Sequence, residues 1–313
     1  EAEAVRLDGV QATLMLTSSV VGTYAELTRL FAEREAAVQA VENRKASADL
    51  LAQRVIGGSA NRGEASQAQS AAAAARGDLA AADEQIALIR NRLAALTGAG
   101  PDRGLTITAP AARNDRTFTL PANLAADLVG RRPDVQAARA RAEAASRRIK
   151  AARAGFYPNI NLAAFIGVQS LGLDMLTKSG SEIGSAGAAL SLPIFSAGRL
   201  EGAYRGARAD YDAAVAAYDL ALVQAFQDVA DAAAGERALQ TRLAEAVRGR
   251  DAAEDAYRIA GLRYRAGLAS YLTVLTAEDA VIGQRREVAD LQARALSLDA
   301  QLVRALGGGF RPV

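Results

Sequence analysis

The stretch that decides the fold is Leu79-Ala-Ala-Ala82-Asp-Glu-Gln-Ile86-Ala-Leu-Ile89-Arg-Asn-Arg-Leu93-Ala-Ala-Leu96. Its apolar residues Leu79, Ala82, Ile86, Ile89, Leu93 and Leu96 step by 3,4,3,4,3. Val288, Leu291, Ala295, Leu298, Leu302 and Ala305 step identically, each 209 positions after its counterpart. A 3,4 step is a heptad seam, which asks for a partner helix crossing at a small left-handed angle. An ungapped register over six core positions is an internal repeat. Both runs end in glycine, at Gly98 and Gly100 and at residues 307–309, and glycine past a last turn stops a helix.

Working outward, Arg54-x3-Gly58 and Arg263-x3-Gly267 keep the same offset of 209. A long helical stretch precedes each. From Leu200 to Arg263 there is no Pro, and a continuous helix over that length would run roughly 95 Å. The reading is two antiparallel helical hairpins, residues 1–97 and 197–313, each turning at a Gly. Residues 98–132, broken by Pro101, Gly104, Pro110 and Pro121, read as an extended connector, with a short helix after Pro121. Arg131-Arg132-Pro133-Asp134 opens a further helix (133–156), with Pro133 where its missing N–H costs nothing.

The helical pattern stops at Pro158. In Asn159-Ile-Asn-Leu-Ala-Ala-Phe-Ile-Gly-Val-Gln169, Ile160, Leu162, Ala164, Ile166 and Val168 share one face at period two. A second alternating run, residues 188–195, puts Leu190, Leu192 and Ile194 on one face. A polar loop, residues 170–184, separates the runs, so residues 157–196 read as a β-hairpin. Strands of about 10 residues with one apolar face suit a transmembrane barrel, and equally a half-buried soluble hairpin. Residues 154–173 carry no charge, but Pro158, two Asn and the period-two pattern argue against a transmembrane helix. An isolated hairpin has open edges, so strands in lipid need further strands from partner chains or from a preceding part of the protein. The fold class is therefore mainly α with a small β part: long antiparallel helical hairpins plus a two-stranded piece of a barrel.

Composition narrows the function. The 313 residues are 50% hydrophobic but only 5% aromatic, with no Trp, which suits close-packed Ala- and Leu-rich helices. With no Cys and no His, thiol nucleophiles, disulfides, triads and His–metal ligation are excluded within this chain. Neither a nucleophile–base pair nor a phosphate loop is present, so the chain reads as no enzyme, with no cofactor and no metal. Lys+Arg 37 against Asp+Glu 35, well mixed, argues against a nucleic-acid partner. Residues 1–6 already read as helix, as expected of a processed chain or a piece of a longer one.

Five motifs in order carry a resemblance: Arg131-Arg-Pro-Asp-Val135, Phe156-Tyr-Pro-Asn-Ile-Asn-Leu162, Leu192-Pro-Ile-Phe-Ser-Ala-Gly-Arg-Leu200, Tyr264-Arg-Ala-Gly-Leu-Ala-Ser-Tyr-Leu-Thr273 and Arg304-Ala-Leu-Gly-Gly-Gly309. Across nearly the whole chain, this set resembles the outer-membrane efflux protein family, the TolC/OprM-like channels, in particular its NodT-type lipoprotein branch. The resemblance implies an outer-membrane protein reaching into the periplasm. It implies a homotrimer in which each protomer gives four strands to one lipid-embedded β-barrel, continued by an α-barrel tunnel. It implies docking to a periplasmic adaptor (membrane fusion) protein and an inner-membrane RND-type pump, as the passive exit duct of a tripartite efflux system. Under it, residues 1–97 and 197–313 are the periplasmic hairpins, 98–132 an equatorial connector, 133–156 the helix leading to the membrane, and 157–196 a membrane hairpin with an external loop. The first strand pair and the family's lipidated N-terminal Cys are absent from this sequence.

The resemblance also places sites. The helix after Tyr-x-x-Gly narrows the closed tunnel, often with acidic residues at positions that here are Thr273 and Thr276. Leu272, Thr276 and Asp279 share one helix face by spacing, so Leu272, Thr273, Thr276 and Asp279 are the expected aperture residues. The alternative is that Glu278 and Asp279 are ordinary solvated charges. Arg54, Gly58, Arg263 and Gly267 are the expected tip residues for adaptor docking; alternatively the two Arg cap helix carbonyls. Ile160, Leu162, Ile166, Val168, Leu190, Leu192 and Ile194 are the expected lipid-facing positions. A coiled-coil scaffold of the cell envelope is the competing function, although it leaves the strands and the repeat unexplained.

Overall fold

The computed structural model describes residues 1–109, 130–169, 182–195 and 197–308. Its elements are α1 (Ala2–Ile56), α2 (Arg62–Leu96), α3 (Pro101–Leu105), α4 (Pro133–Ala154), β1 (Asn159–Val168), β2 (Glu182–Ser191), α5 (Ala197–Arg265) and α6 (Tyr271–Ala305). They fall into two compact units, one of residues 1–8 and 134–223, the other of residues 9–133 and 224–313. Helices α1 and α5 each run from one unit into the other.

In the larger unit the heptad seams close as two antiparallel helix pairs. Leu27 and Leu30 of α1 pack on Ile86 and Leu93 of α2, with Val20, Phe31 and Ile89 beside them. Leu239 and Ala246 of α5 pack on Val288, Leu291 and Leu298 of α6. None of the twelve repeated seam positions is exposed. Each fully buried Leu or Ile contributes about 2 kcal/mol, so these stripes, not intrinsic propensity, hold such long helices in place. A third cluster joins the two pairs: Ala48 and Leu51 of α1, Ala68 and Ala72 of α2, and Tyr271 of α6.

The repeat holds to single hydrogen bonds. Past α1, the Ser59 N–H donates to the Arg54 carbonyl (2.8 Å) and the Gly58 N–H to Val55 (3.1 Å). Past α5, Leu268 donates to Arg263 (2.8 Å) and Gly267 to Tyr264 (3.0 Å). Gly58 and Gly267 sit at φ 72° and 74°, the left-handed conformation this helix stop requires. The far ends match: Ala99 donates to Ala94 past α2 and Gly308 to Val303 past α6, through Gly98 and Gly307 at φ 71° and 85°.

The connector differs from expectation. Pro101–Leu105 is a short helix, not extended chain, because Pro101 occupies its first turn where no N–H is needed. Gly104 lies so close to α2 that a Cβ there would meet the Arg90 carbonyl oxygen at 3.1 Å. The short helix expected after Pro121 lies outside the described residues. Arg132 is buried, its guanidinium donating to Asp228 at 2.8 Å. The backbone of residues 131–132 packs on Gly307, where a Cβ would fall 3.3 Å from the Arg131 carbonyl oxygen.

Helix α4 begins at Pro133, as expected, and in the smaller unit buries Val135, Ala137, Ala138 and Ala145; Ala4 and Leu7 of α1 and Leu200 of α5 are also buried there. Arg141 pairs with Asp8 and Arg148 with Glu1. The chain then enters the antiparallel β1–β2 hairpin, registered from Asn159↔Ser191 to Val168↔Glu182. Strand β2 starts earlier than the sequence pattern marks, taking in Glu182–Gly184, and ends at Ser191. Leu192 and Ile194 therefore lie beyond the strand: Pro193 between them has no N–H for a ladder. Residues 170–181 of the expected loop lie outside the described residues. No helix among the described residues is long and apolar enough to cross a membrane.

Candidate functional site

Two regions gather the residues singled out by sequence. The first is the β-hairpin. Its cross-strand pairs put Ile160, Leu162, Ala164, Ile166 and Val168 on one face with Leu190, Ala188, Ala186, Gly184 and Glu182. The other face carries Asn159, Asn161, Ser185 and Ser191 with Phe165, Ile183 and small residues. Residue after residue of both strands is exposed, Leu162 to 77% and Ile166 to 91%. Neither face is covered by the unit's own helices. A half-buried soluble hairpin would need one face buried by its own fold, and the described residues of this unit bury neither. Moving five large aliphatic side chains from water into hydrocarbon is favourable by on the order of 10 kcal/mol. Leu192 and Ile194, although outside the ladder, are exposed as well.

The second region is the turn into α6, in the larger unit. Ser270 precedes the helix, its hydroxyl 3.3 Å from that of Thr273. The Thr276 hydroxyl donates back to the Leu272 carbonyl at 3.0 Å. Leu272, Thr273, Thr276 and Asp279 are all exposed. Tyr271 and Glu278, by contrast, are buried.

Glu278 is thus not a solvated helix charge. Arg44 of α1, itself buried, donates through Nε to Glu278 (2.9 Å) and through Nη2 to Asp279 (2.5 Å). The expected aperture residue Asp279 is therefore one arm of a two-carboxylate clamp. Burial alone would lower the Arg44 pKa, but the hydrogen bonds and charges of Glu278 and then Asp279 outweigh it and hold it above its ordinary value. Tyr271 and Tyr257 are pushed up, first by burial and then by the nearby Glu278 charge; a hydrogen bond with Ser47 opposes the shift at Tyr271.

More polar contacts run along the same α1–α6 contact. Arg285 donates to Gln39 (3.1 Å) and to Glu254 of α5 (2.9 Å). Arg29 faces Asp290 at 3.3 Å, and Glu33 faces Arg286 at 3.2 Å. A cleft of about 210 Å³ lies among these groups, between α1, α5 and α6. Within each hairpin the helices meet through apolar seams flanked by ion pairs such as Arg34–Asp83 and Arg242–Glu287; between hairpins the apolar cluster at Tyr271 is joined by ion pairs between α1 and α6.

Sequence reasoning missed Arg44, yet a signal existed. Thr23, Leu30, Ala37, Arg44 and Leu51 recur every seven residues and all are buried, so Arg44 occupies a core position. A charge in that phase needs a buried counter-charge.

The tip residues come together in part. The Arg54 guanidinium lies 5.9 Å from the Tyr264 ring centroid, and Tyr264 packs on Tyr271 at 5.7 Å, joining the first hairpin's turn to the second's. The carbonyls of Arg54 and Arg263 are capped by backbone N–H groups, not by these Arg side chains. Gly58 and Gly267 are exposed, with open space where a Cβ would stand.

Comparison with known proteins agrees with this architecture. The chain is 37% identical over 191 residues to the solvent efflux pump outer membrane protein SrpC of Pseudomonas putida, covering 61% of this chain and 41% of that protein. It is 29% identical over 300 residues to the cation efflux system protein CusC of Escherichia coli O157:H7, covering 95% of this chain and 65% of that protein. The crystal structure of the outer membrane protein VceC from Vibrio cholerae superposes with a TM-score of 0.88 at 43% identity, over 99% of this chain and 74% of that one. The chain spans about 40% of the length of the first curated relatives it matches. Residues 124–308 match the family model described as outer membrane efflux protein. With that match over more than half its length, and its paired helical hairpins and barrel-type strand pair, the chain belongs to the outer membrane efflux protein family.

Proposed function

We propose that this chain is part of an outer-membrane exit duct of a tripartite efflux system, a passive conduit with no chemistry of its own. The observation that carries the reading is the β-hairpin exposed on both faces, aliphatic on one and mostly polar or small, with Phe165 and Ile183, on the other. Such a pair is stable only as a segment of a larger closed sheet between lipid and a wetter interior. In the assembly, three protomers close one barrel, the hairpins 1–97 and 197–313 line a periplasmic tunnel, and residues 157–196 lie in the outer membrane. Relatives named as efflux pump outer membrane proteins support this assignment.

The exposed turns at Gly58 and Gly267, with Arg54 and Arg263 beside them, are the docking points for a periplasmic adaptor, which in turn binds an RND-type inner-membrane pump. Leu272, Thr273, Thr276 and Asp279 line the narrow periplasmic end. A coiled-coil scaffold is disfavoured, because it leaves the apolar strand face in water. The test is the mass, by light scattering in detergent, of the intact protein extracted from the outer-membrane fraction. Three protomers per particle is the expected result. A soluble monomer or dimer absent from that fraction would refute the duct.

A further inference from the structure

We infer that the C-terminal half of α4 and the aromatic residues at the strand bases form a binding surface for anionic phospholipid headgroups. The inference rests on the membrane reading of the hairpin. Residues 144–169 contain no Asp or Glu but hold Arg147, Arg148, Lys150 and Arg153, all exposed. Arg147, Lys150 and Arg153 step by three and share a helix face. Some exposed Arg residues elsewhere pair with a carboxylate on their own helix, as Arg248 does with Glu245 and Arg258 with Asp255. On α4 the last such carboxylate, Glu143, is taken by Arg139 at 3.1 Å, and Arg148 is taken by Glu1. Among the described residues no ion pair engages Arg147, Lys150 or Arg153.

Their position is specific. Arg153 stands six residues before the first strand residue, and at 1.5 Å per residue Arg147 lies about 9 Å further along the helix. A headgroup layer is roughly 5–7 Å thick on each side of the hydrocarbon, so the three cations span it and its edge. Asn159 pairs with Ser191, so Tyr157 and Phe195 lie at the same end of the hairpin, 61% and 100% exposed. Amphipathic and apolar rings at that level, next to free cations, suit the boundary between acyl chains and phosphates. Arg153, Phe156, Tyr157, Glu201 and Tyr204 line an open cleft of about 230 Å³ beside the edge-to-face Phe156–Tyr204 contact. Glu201 is paired with Arg205 at 3.2 Å, which leaves Arg153 as the uncompensated charge there. A guanidinium presents two parallel N–H groups to a phosphate, and the lysine adds a point charge.

The test uses the intact protein in detergent, titrated separately with phosphatidylglycerol and phosphatidylcholine, with bound lipid counted by native mass spectrometry. Wild type should retain phosphatidylglycerol preferentially, less so as salt rises. At about fivefold per cation, R147Q/K150Q/R153Q should weaken that retention on the order of a hundredfold and leave phosphatidylcholine unchanged. R147K/R153K should keep it, and the control R92Q, an exposed Arg on α2, should behave as wild type. Equal retention of the two lipids by wild type, or undiminished phosphatidylglycerol on the triple variant, overturns the inference while leaving the duct reading intact. Flotation with phosphatidylcholine vesicles checks that reading separately. Wild type and triple variant should both float, and a wild type that stays in solution refutes the membrane reading and this inference with it.

Discussion

Glu278→Gln is the sharpest probe of the polar contact between hairpins. The Arg44 and Glu278 side chains are only 9% and 10% exposed, at 2.9 Å. Removing one charge from a pair this dry costs about 3–5 kcal/mol when nothing compensates. Here Asp279 remains 2.5 Å from the guanidinium, and Gln keeps an acceptor oxygen, so the loss falls to about 2 kcal/mol. Asp279 is 67% exposed and screened by water, so Asp279→Asn costs only about 0.5 kcal/mol. Arg44→Met strands a buried Glu278 and returns to about 3–5 kcal/mol. The double variant R44M/E278L, which leaves no orphan charge at Arg44 or Glu278, costs much less than the sum of the singles R44M and E278L. Hydrogen exchange of amides in the first turns of α6 reads these differences locally: about 2 kcal/mol is roughly a thirtyfold loss of protection. The expected order of damage is Arg44→Met, then Glu278→Gln, then Asp279→Asn. Equal effects of the two carboxylate changes, or simple additivity in the double variant, would show that burial does not set the strength of this clamp.

Other outcomes follow from the same structure. Gly267→Ala, at φ 74°, should destabilise by about 1 kcal/mol, whereas Gly261→Ala, inside α5 with open space around it, should stabilise by about 0.5–1 kcal/mol; opposite shifts of the urea midpoint check the pair. Leu291→Ala empties a 2%-exposed position between α5 and α6 and should cost about 2–5 kcal/mol, seen as a lower melting temperature. The Tyr271 hydroxyl has a folded-state pKa raised above its unfolded value. Its contribution is therefore fully present below about pH 10 and is lost as pH rises through the folded value. Tyr271→Phe should flatten that alkaline decline, and an unchanged decline would assign it to other groups.

Much of the architecture was legible because its causes are local. The 3,4 steps marked the buried stripes of α2 and α6, and the glycines marked helix stops, because only a left-handed residue lets the next N–H groups reach back to the last carbonyls. Period-two alternation marked the hairpin. Its limits were less legible: Glu182 looked like loop because a lone charge interrupts the apolar face, and Leu192 and Ile194 looked like strand because parity survives past Pro193. The short helix α3 was hidden by reading Pro101 as a breaker, when at a first helical turn it is an initiator.

The amino-acid sequence by itself determined which faces of α2 and α6 are buried, where the chain turns, and that the two helical hairpins repeat one another. Those properties depend on residues within a turn or two of each other. Only the tertiary structure decided which helix each face meets. Arg44 and Glu278, 234 positions apart, come within hydrogen-bonding distance because α1 packs against α6. It likewise decided that an apolar cluster at Tyr271 and ion pairs between α1 and α6 together join the two hairpins, and that no helix among the described residues covers the strand pair. Periodicity shows that a surface needs a partner, but the partner is selected by long-range packing, where shape and charge must match across residues far apart in the chain.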